Sequence, residues 1–109
     1  MATVWRIIYI TNRMRLIIYL SERRDKKYKA VFTDTDGKHK TIHFGAKGMS
    51  DYTIHNDDKR RELYLARHRK TEDWTKPMTA GALSRWILWG PTTSLLKNIK
   101  LFKERFNLT

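Results

Sequence analysis

Two short runs rich in Ile, Tyr and Val open the chain: "VWRIIYI" over 4–10 and "MRLIIYL" over 14–20. They flank "TNR", whose Asn12 suits a turn, so the pair reads as two β-strands. "SERRDKK" (21–27) is a charged connection. "KYKAVFTD" (27–34) then alternates, with Tyr28, Ala30 and Phe32 on one face and Lys27, Lys29 and Val31 on the other. "TDGK" (35–38) carries Asp-Gly, a hairpin signal because both turn residues tolerate positive φ. "HKTIHF" (39–44) alternates again, setting Ile42 and Phe44 opposite His39, Thr41 and His43. The pattern predicts a meander of three or four antiparallel strands.

After Gly48 the period lengthens. "SDYTIHNDD" (50–58) offers several helix N-caps. "DDKRRELYLARHRK" (57–70) predicts a helix, with Asp57 and Asp58 at its start and Arg67, His68, Arg69 and Lys70 at its end, both favourable to the helix dipole. "TEDWTKPM" (71–78) is a loop. Thr79 caps "AGALSRWILW" (80–89), whose Leu83, Trp86 and Ile87 share a face, and Gly90-Pro91 stops it. Thr93 or Ser94 caps "LLKNIKLFKERF" (95–106), where Leu95, Ile99, Phe102 and Phe106 form an amphipathic stripe. The expected architecture is one α+β domain over residues 1–109: a small N-terminal antiparallel sheet of three or four strands (14–48), then two or three packed helices (50–109).

Composition narrows the class. Hydrophobic residues make up 40% of the chain, with four Trp, five Tyr and four Phe, too much apolar mass for a disordered basic tail. With no cysteine, disulfides and thiolate metal sites are excluded. No apolar run approaches the ~20 residues of a membrane helix; Arg6, Arg13 and Arg15 interrupt the most apolar stretch. The net charge is +12, from 23 Lys and Arg against 11 Asp and Glu. Residues 1–50 hold 11 basic and 4 acidic residues, 51–75 hold 6 of each, and 76–109 hold 6 and 1. Two cationic ends flank a balanced middle. Such a field attracts nucleic acid, anionic lipid or an acidic protein face without choosing among them.

Four features invite sharper chemistry. In "HFGAKG" the amides near Gly45 and Gly48, with Lys47 between, could cradle a phosphate. The spacing is G-x-x-G and not the P-loop pattern, so a plain strand-to-helix turn is the simpler account. His43, Asp51 and His55, with His68, Asp57 and Asp58 nearby, suggest a metal-dependent nuclease. Yet His55 and His68 are 13 positions apart, roughly 20 Å along a continuous helix, and no H-x-x-x-H pair exists. The simpler account has His55 bonding its loop and His68 sitting at a helix C-terminus below Tyr64. No metal and no cofactor is therefore assigned. Cations crowd two helices: Arg60, Arg61, Arg67, Arg69 and Lys70 on one, Lys97, Lys100, Lys103 and Arg105 on the other. Lys38, Lys40 and Lys47 add to them from the sheet. Charge runs are usually solvated faces, but a small domain at +12 repels itself unless anions offset the charge. These twelve residues are the candidate nucleic-acid contacts. Last, Trp86 and Trp89 in "RWILWGP" suit either the core or a base-stacking platform; helical spacing favours core for Trp86, and Trp89 is the better candidate for partial exposure.

Ordered pieces of the chain resemble a known family. These are "HFG", "GMSDYTIHND", "LYLARH", "TAGALSRWILWG" and the closing basic helix, together spanning roughly 27–108. They are similar to small uncharacterised basic proteins of giant nucleocytoplasmic DNA viruses, a family of unknown function. Residues 1–13 look less like that family; a start at Met14 would make them an N-terminal extension. The resemblance implies a viral origin and a setting in the virion or the infected host cell.

The sequence thus leads to a non-enzymatic basic protein that binds nucleic acid, DNA foremost, through phosphates and with little sequence preference. A structural class competes: a minor virion or capsid protein meeting an acidic protein or a membrane surface, marked by an exposed apolar patch around Trp5, Ile7, Tyr9 or Trp89. A metal-dependent nuclease built on His43 with Asp51 or His55 ranks third.

Overall fold

A computed structural model of the protein describes residues 13–109. The strand expected over 4–10 and the turn at Asn12 lie outside them. Three strands, β1 (Arg15–Leu20), β2 (Lys26–Thr33) and β3 (His39–Ala46), form an antiparallel sheet in the order β1-β2-β3. Leu16 faces Phe32, Ala30 faces Ile42 and Tyr28 faces Phe44 across the ladders. The alternation read from sequence is therefore realised, and one sheet face carries Leu16, Ala30, Phe32 and Phe44, all buried. The Asp-Gly turn closes as expected. Gly37 takes φ 85°, and the Asp34 carboxylate accepts from the amides of Asp36 and Lys38.

Four helical elements follow, giving the expected α+β arrangement with one piece more than the sequence pattern suggested. The extra piece is α1 (Tyr52–His55), a single turn that uses the cap-rich stretch. Asp51 caps it by accepting from Thr53 N, and Asn56 ends it in the left-handed region at φ 56°. Asp57 then caps α2 (Asp58–Arg69), accepting from Lys59 N and Arg60 N. Only Leu65 of α2 is buried, so this helix is mostly solvated.

Thr79 caps α3, whose α-helical turn Ala80–Leu83 runs straight into a π-helical turn, Ser84–Leu88. There Trp89 N reaches back five residues to Ser84 O at 2.9 Å. The sequence pattern implied regular α-helix with Leu83, Trp86 and Ile87 inward. The wider turn instead buries Leu83, Ile87 and Leu88 and leaves Trp86 and Trp89 half-buried.

Ser94, not Thr93, caps α4 (Leu95–Arg105) by accepting from Lys97 N. Leu95, Ile99, Phe102 and Phe106 of its stripe all join the core with Leu16, Ala30, Phe32, Phe44 and the α3 residues. The helix ends in a Schellman turn. Asn107 adopts φ 54°, and Leu108 N bonds Lys103 O at 2.8 Å. That turn lays Thr109 along β1, where it exchanges backbone bonds with Met14 O and Leu16 N.

Two contacts fix the position of α3. A Cβ on Gly45 would lie 2.8 Å from Leu88 Cδ1, so the glycine is what lets α3 approach β3. A Cβ on Gly90 would meet Trp86 O at 2.2 Å, so the chain can leave α3 this tightly only at glycine. Asn98, fully buried on α4, holds this corner. Its Nδ2 donates to Ile87 O and Thr92 O, and its Oδ1 accepts from Thr92 N and Thr92 Oγ1.

Candidate functional site

The corner after α3 also organises the charged surface. Arg61, on α2, donates from Nε to Gly90 O at 2.9 Å. Arg85, on the π-helical turn, donates from Nη1 to Trp89 O at 3.0 Å. Two guanidiniums from different helices therefore bind two consecutive carbonyls. Arg85 also lies over Trp86 and Trp74, its Cζ 4.1 Å and 5.1 Å from the ring centroids. Arg105, from α4, lies against the same Trp86 ring at 3.7 Å. Trp86 is held by its own Nε1–H, which donates to Trp74 O at 2.9 Å.

The electrostatics of this cluster are one-sided. Among the described residues, ion pairs join Arg23 to Asp25, Lys27 to Asp51, Lys29 to Glu22 and Lys76 to Asp73, and His68 is hydrogen-bonded to Glu72. None involves Arg61, Arg69, Arg85 or Arg105. The Arg85 Nε is buried and has no hydrogen-bond partner. Burial, and then the positive charges of Arg61, Arg105 and Arg69, bring the Arg85 pKa down to about 10. It remains a cation at neutral pH, in a place where its charge is poorly compensated.

Beside the cluster runs an aromatic stack. Tyr64 and Trp89 lie parallel at 4.1 Å, His68 stacks on Tyr64 at 4.1 Å, and His55 sits 5.3 Å from Trp89. Tyr52 extends the row beyond His55, and Arg61 lies over its ring at 5.4 Å. Burial, then the Glu72 charge, raises the Tyr64 phenol to about 12, so it stays neutral within the stack. The row fastens the sparsely buried α2 to the corner. Trp89 is thereby occupied and is not the exposed apolar patch of the structural-protein expectation; Trp5, Ile7 and Tyr9 lie outside the described residues.

The nuclease centre of the third-ranked reading does not assemble among the described residues. His43 Nδ1 pairs with Ser21 Oγ at 2.8 Å. Asp51, nearly fully buried, is bound by Lys27 Nζ at 2.6 Å and by Thr53. His55 Nδ1 accepts from Asp57 N at 2.9 Å, the loop role the plainer account gave it. Among the described residues no group of three or more His, Asp and Glu could hold a metal ion. The glycine loop is a turn: Gly45 and Gly48 take φ 79° and 88°.

The twelve candidate cations separate into groups. Arg61 and Arg105 meet at the corner, with the charge of Arg69 in range. Arg60 and Arg67 border a cleft of about 570 Å³ between α2, α3 and the end of the sheet, over a floor that includes Leu88 and Trp89. Of the other groups lining that cleft, Lys27 is already paired with Asp51 and His68 Nδ1 is hydrogen-bonded to Glu72. Lys38 and Lys40 stand exposed at the β2–β3 hairpin, Lys47 in the turn after β3 and Lys70 past the end of α2. Lys97 and Lys100 are exposed on α4, and Lys103 is half-buried. Arg85 was absent from the sequence-based set. It stands alone in "SRWILW" among apolar residues, and no charge run points to it. The signal that could have found it is a lone arginine beside Trp86, in a segment whose nearest acids, Glu72 and Asp73, lie before the helix.

The molecule is thus a small α+β protein with an arginine–aromatic corner. It belongs to a family of unknown function, DUF5754, whose model matches residues 16–68. A similar protein, uncharacterised, comes from Acanthamoeba polyphaga mimivirus: it is 38% identical over 77 residues, covering 63% of this chain and 75% of the viral protein. The kinship expected from the quoted motifs is therefore a giant-virus one. The family match takes in the sheet, α1 and α2, beginning upstream of the expected start at 27, and Arg85 and Arg105 lie beyond its end. No solved structure matches the chain.

Proposed function

We propose that the protein binds nucleic acid, DNA foremost, without catalysis, through phosphate contacts and with little sequence preference. The observation that supports this most is the set of arginines gathered at the α3 corner without a single carboxylate partner, in a chain whose net charge is +12. Elsewhere the fold does neutralise its inner charge, as Lys27 with Asp51 shows. Leaving Arg85 uncompensated costs stability, and a polyanion offsets that cost. The exposed lysines of α4 and the hairpin would extend the contact along a phosphate backbone. A virus-encoded protein of this kind acts in the infected host cell, at genome packaging, in the virion core or at the replication site.

The test is fluorescence anisotropy with two labelled duplexes of unrelated sequence at low salt. The proposal expects both to bind, with affinities within about threefold, a difference of less than 1 kcal/mol. No binding at low salt would overturn it and move the weight to the structural virion role. Magnesium added to the same samples should leave the DNA uncut; cleavage lost in a His43→Ala variant would establish the nuclease instead.

A further inference from the structure

We infer that Arg61, Arg85 and Arg105 form one discrete oxyanion site at the α3 corner, which takes a phosphate group. The inference rests on the nucleic-acid reading only in assigning that phosphate to a phosphodiester backbone; a free phosphate or a phosphorylated small molecule would use the same chemistry.

Geometry brings the three residues together from three helices. Arg61 and Arg85 bond the adjacent carbonyls Gly90 O and Trp89 O. Arg85 and Arg105 both lie on Trp86, so their Cζ atoms are no farther apart than the sum of 4.1 Å and 3.7 Å. Each guanidinium has five N–H donors, and the carbonyl bonds use one on Arg61 and one on Arg85. Among the described residues the remaining donors meet no protein acceptor, and the Arg85 Nε is buried without one. The indole rings offset part of the charge but accept none of these hydrogen bonds in the manner of an oxygen. A planar fork with several N–H groups, present on both arginines that meet Trp86 and on the one that binds the neighbouring carbonyl, suits a tetrahedral oxyanion with oxygens to spare. Asn98 binds Ile87 O and Thr92 O, on either side of the Trp89 and Gly90 carbonyls, so the backbone that Arg61 and Arg85 bind is tied down at both ends.

A purely structural account makes Arg85 a clasp for Trp89 O and Arg105 a cover for Trp86. Arg105→Gln separates the two, because it leaves both carbonyl bonds of the corner intact. The experiment uses the full chain and follows the arginine Nε–Hε resonances by NMR as inorganic phosphate replaces chloride at constant ionic strength. The same variants are then measured for binding to labelled duplex DNA. The site predicts saturable shifts at Arg61 and Arg85, weakened in Arg105→Gln, and a DNA affinity reduced roughly three- to tenfold in that variant. Arg24→Gln, an exposed cation on the β1–β2 connection and outside the candidate contacts, is the control for loss of one charge and should change DNA affinity less and phosphate response not at all. If phosphate shifts these resonances no more than chloride does, and Arg105→Gln binds DNA like the Arg24→Gln control, the site is refuted while the nucleic-acid reading stands. If phosphate binds saturably but DNA does not, the site stands, its ligand is a free or small-molecule phosphate, and the nucleic-acid reading falls.

Discussion

At the scale of single residues, three side chains carry more than their size suggests. Asn98 is fully buried and makes four hydrogen bonds, two through each end of its amide. Asn98→Ala strands Ile87 O and Thr92 N in the interior, so it should cost about 2–4 kcal/mol by urea denaturation. An effect under ~1 kcal/mol would show that the corner does not depend on it. Asp51→Asn leaves the Lys27 ammonium, only 14% exposed, without its counter-charge; the expected loss is about 3 kcal/mol, and a Lys27→Met/Asp51→Asn double variant should lose less than the two single losses together. The titrations of Tyr64 and Arg85 oppose one another. Tyr64 is raised from 10.0 to about 12, so its contribution to stability is complete below pH 10 and lost as pH rises through 12. Arg85 is lowered to about 10, so the folded state sheds its proton before the unfolded chain does and the Arg85 contribution grows as pH rises above 10. Tyr64→Phe keeps the stack and removes one side of this balance. The variant should therefore lose less stability than the parent between pH 10 and 12, measured by denaturation at each pH, with little change at pH 7. None of this trio was legible as a centre in the sequence. Asn98 looks like an interruption of a stripe, and Asp51 like a cap or a member of the nuclease cluster, not the partner of a buried lysine. Arg85 looks like a solvated charge until the π-helical turn shows what it faces.

At the scale of elements, the sequence was more informative, and the reasons are local. Alternation in β2 and β3 and the Asp36-Gly37 turn fix a register that a slip of one residue would turn inside out. The stripe Leu95, Ile99, Phe102 and Phe106 needed only the helical period. Where local pattern failed, tertiary demand had intervened. Within 50–58 the turn Tyr52–His55 is helical, its Asp51 cap anchored from the sheet by Lys27. The segment 80–89 left the α-period because Leu88 must pack against Gly45 while Trp89 reaches Tyr64. The choice between Thr93 and Ser94 as cap was open in sequence and is made by Ser94 Oγ accepting from Lys97 N. Ser94→Ala should therefore cost about 1 kcal/mol and Thr93→Ala only a few tenths, by chemical denaturation. The reverse order would mean that α4 starts elsewhere.

At the scale of the whole molecule, charge is the property on which the proposed function rests. The lysine faces of α4 and the hairpin were legible as cations. The arginine corner was not, because it joins residues 61, 85 and 105, and only the fold brings them together. Arginines remain charged through neutral pH, so anion binding should be flat to about pH 9 and weaken only as Arg85 approaches its pKa of about 10. The measurement that tests the central claim most directly is DNA affinity as a function of salt. The account predicts a linear fall of log Kobs with log salt, with a slope of about −4 or steeper, corresponding to at least about four phosphates engaged, and the same slope for unrelated sequences. A slope near zero, or no binding at the lowest salt, would contradict it.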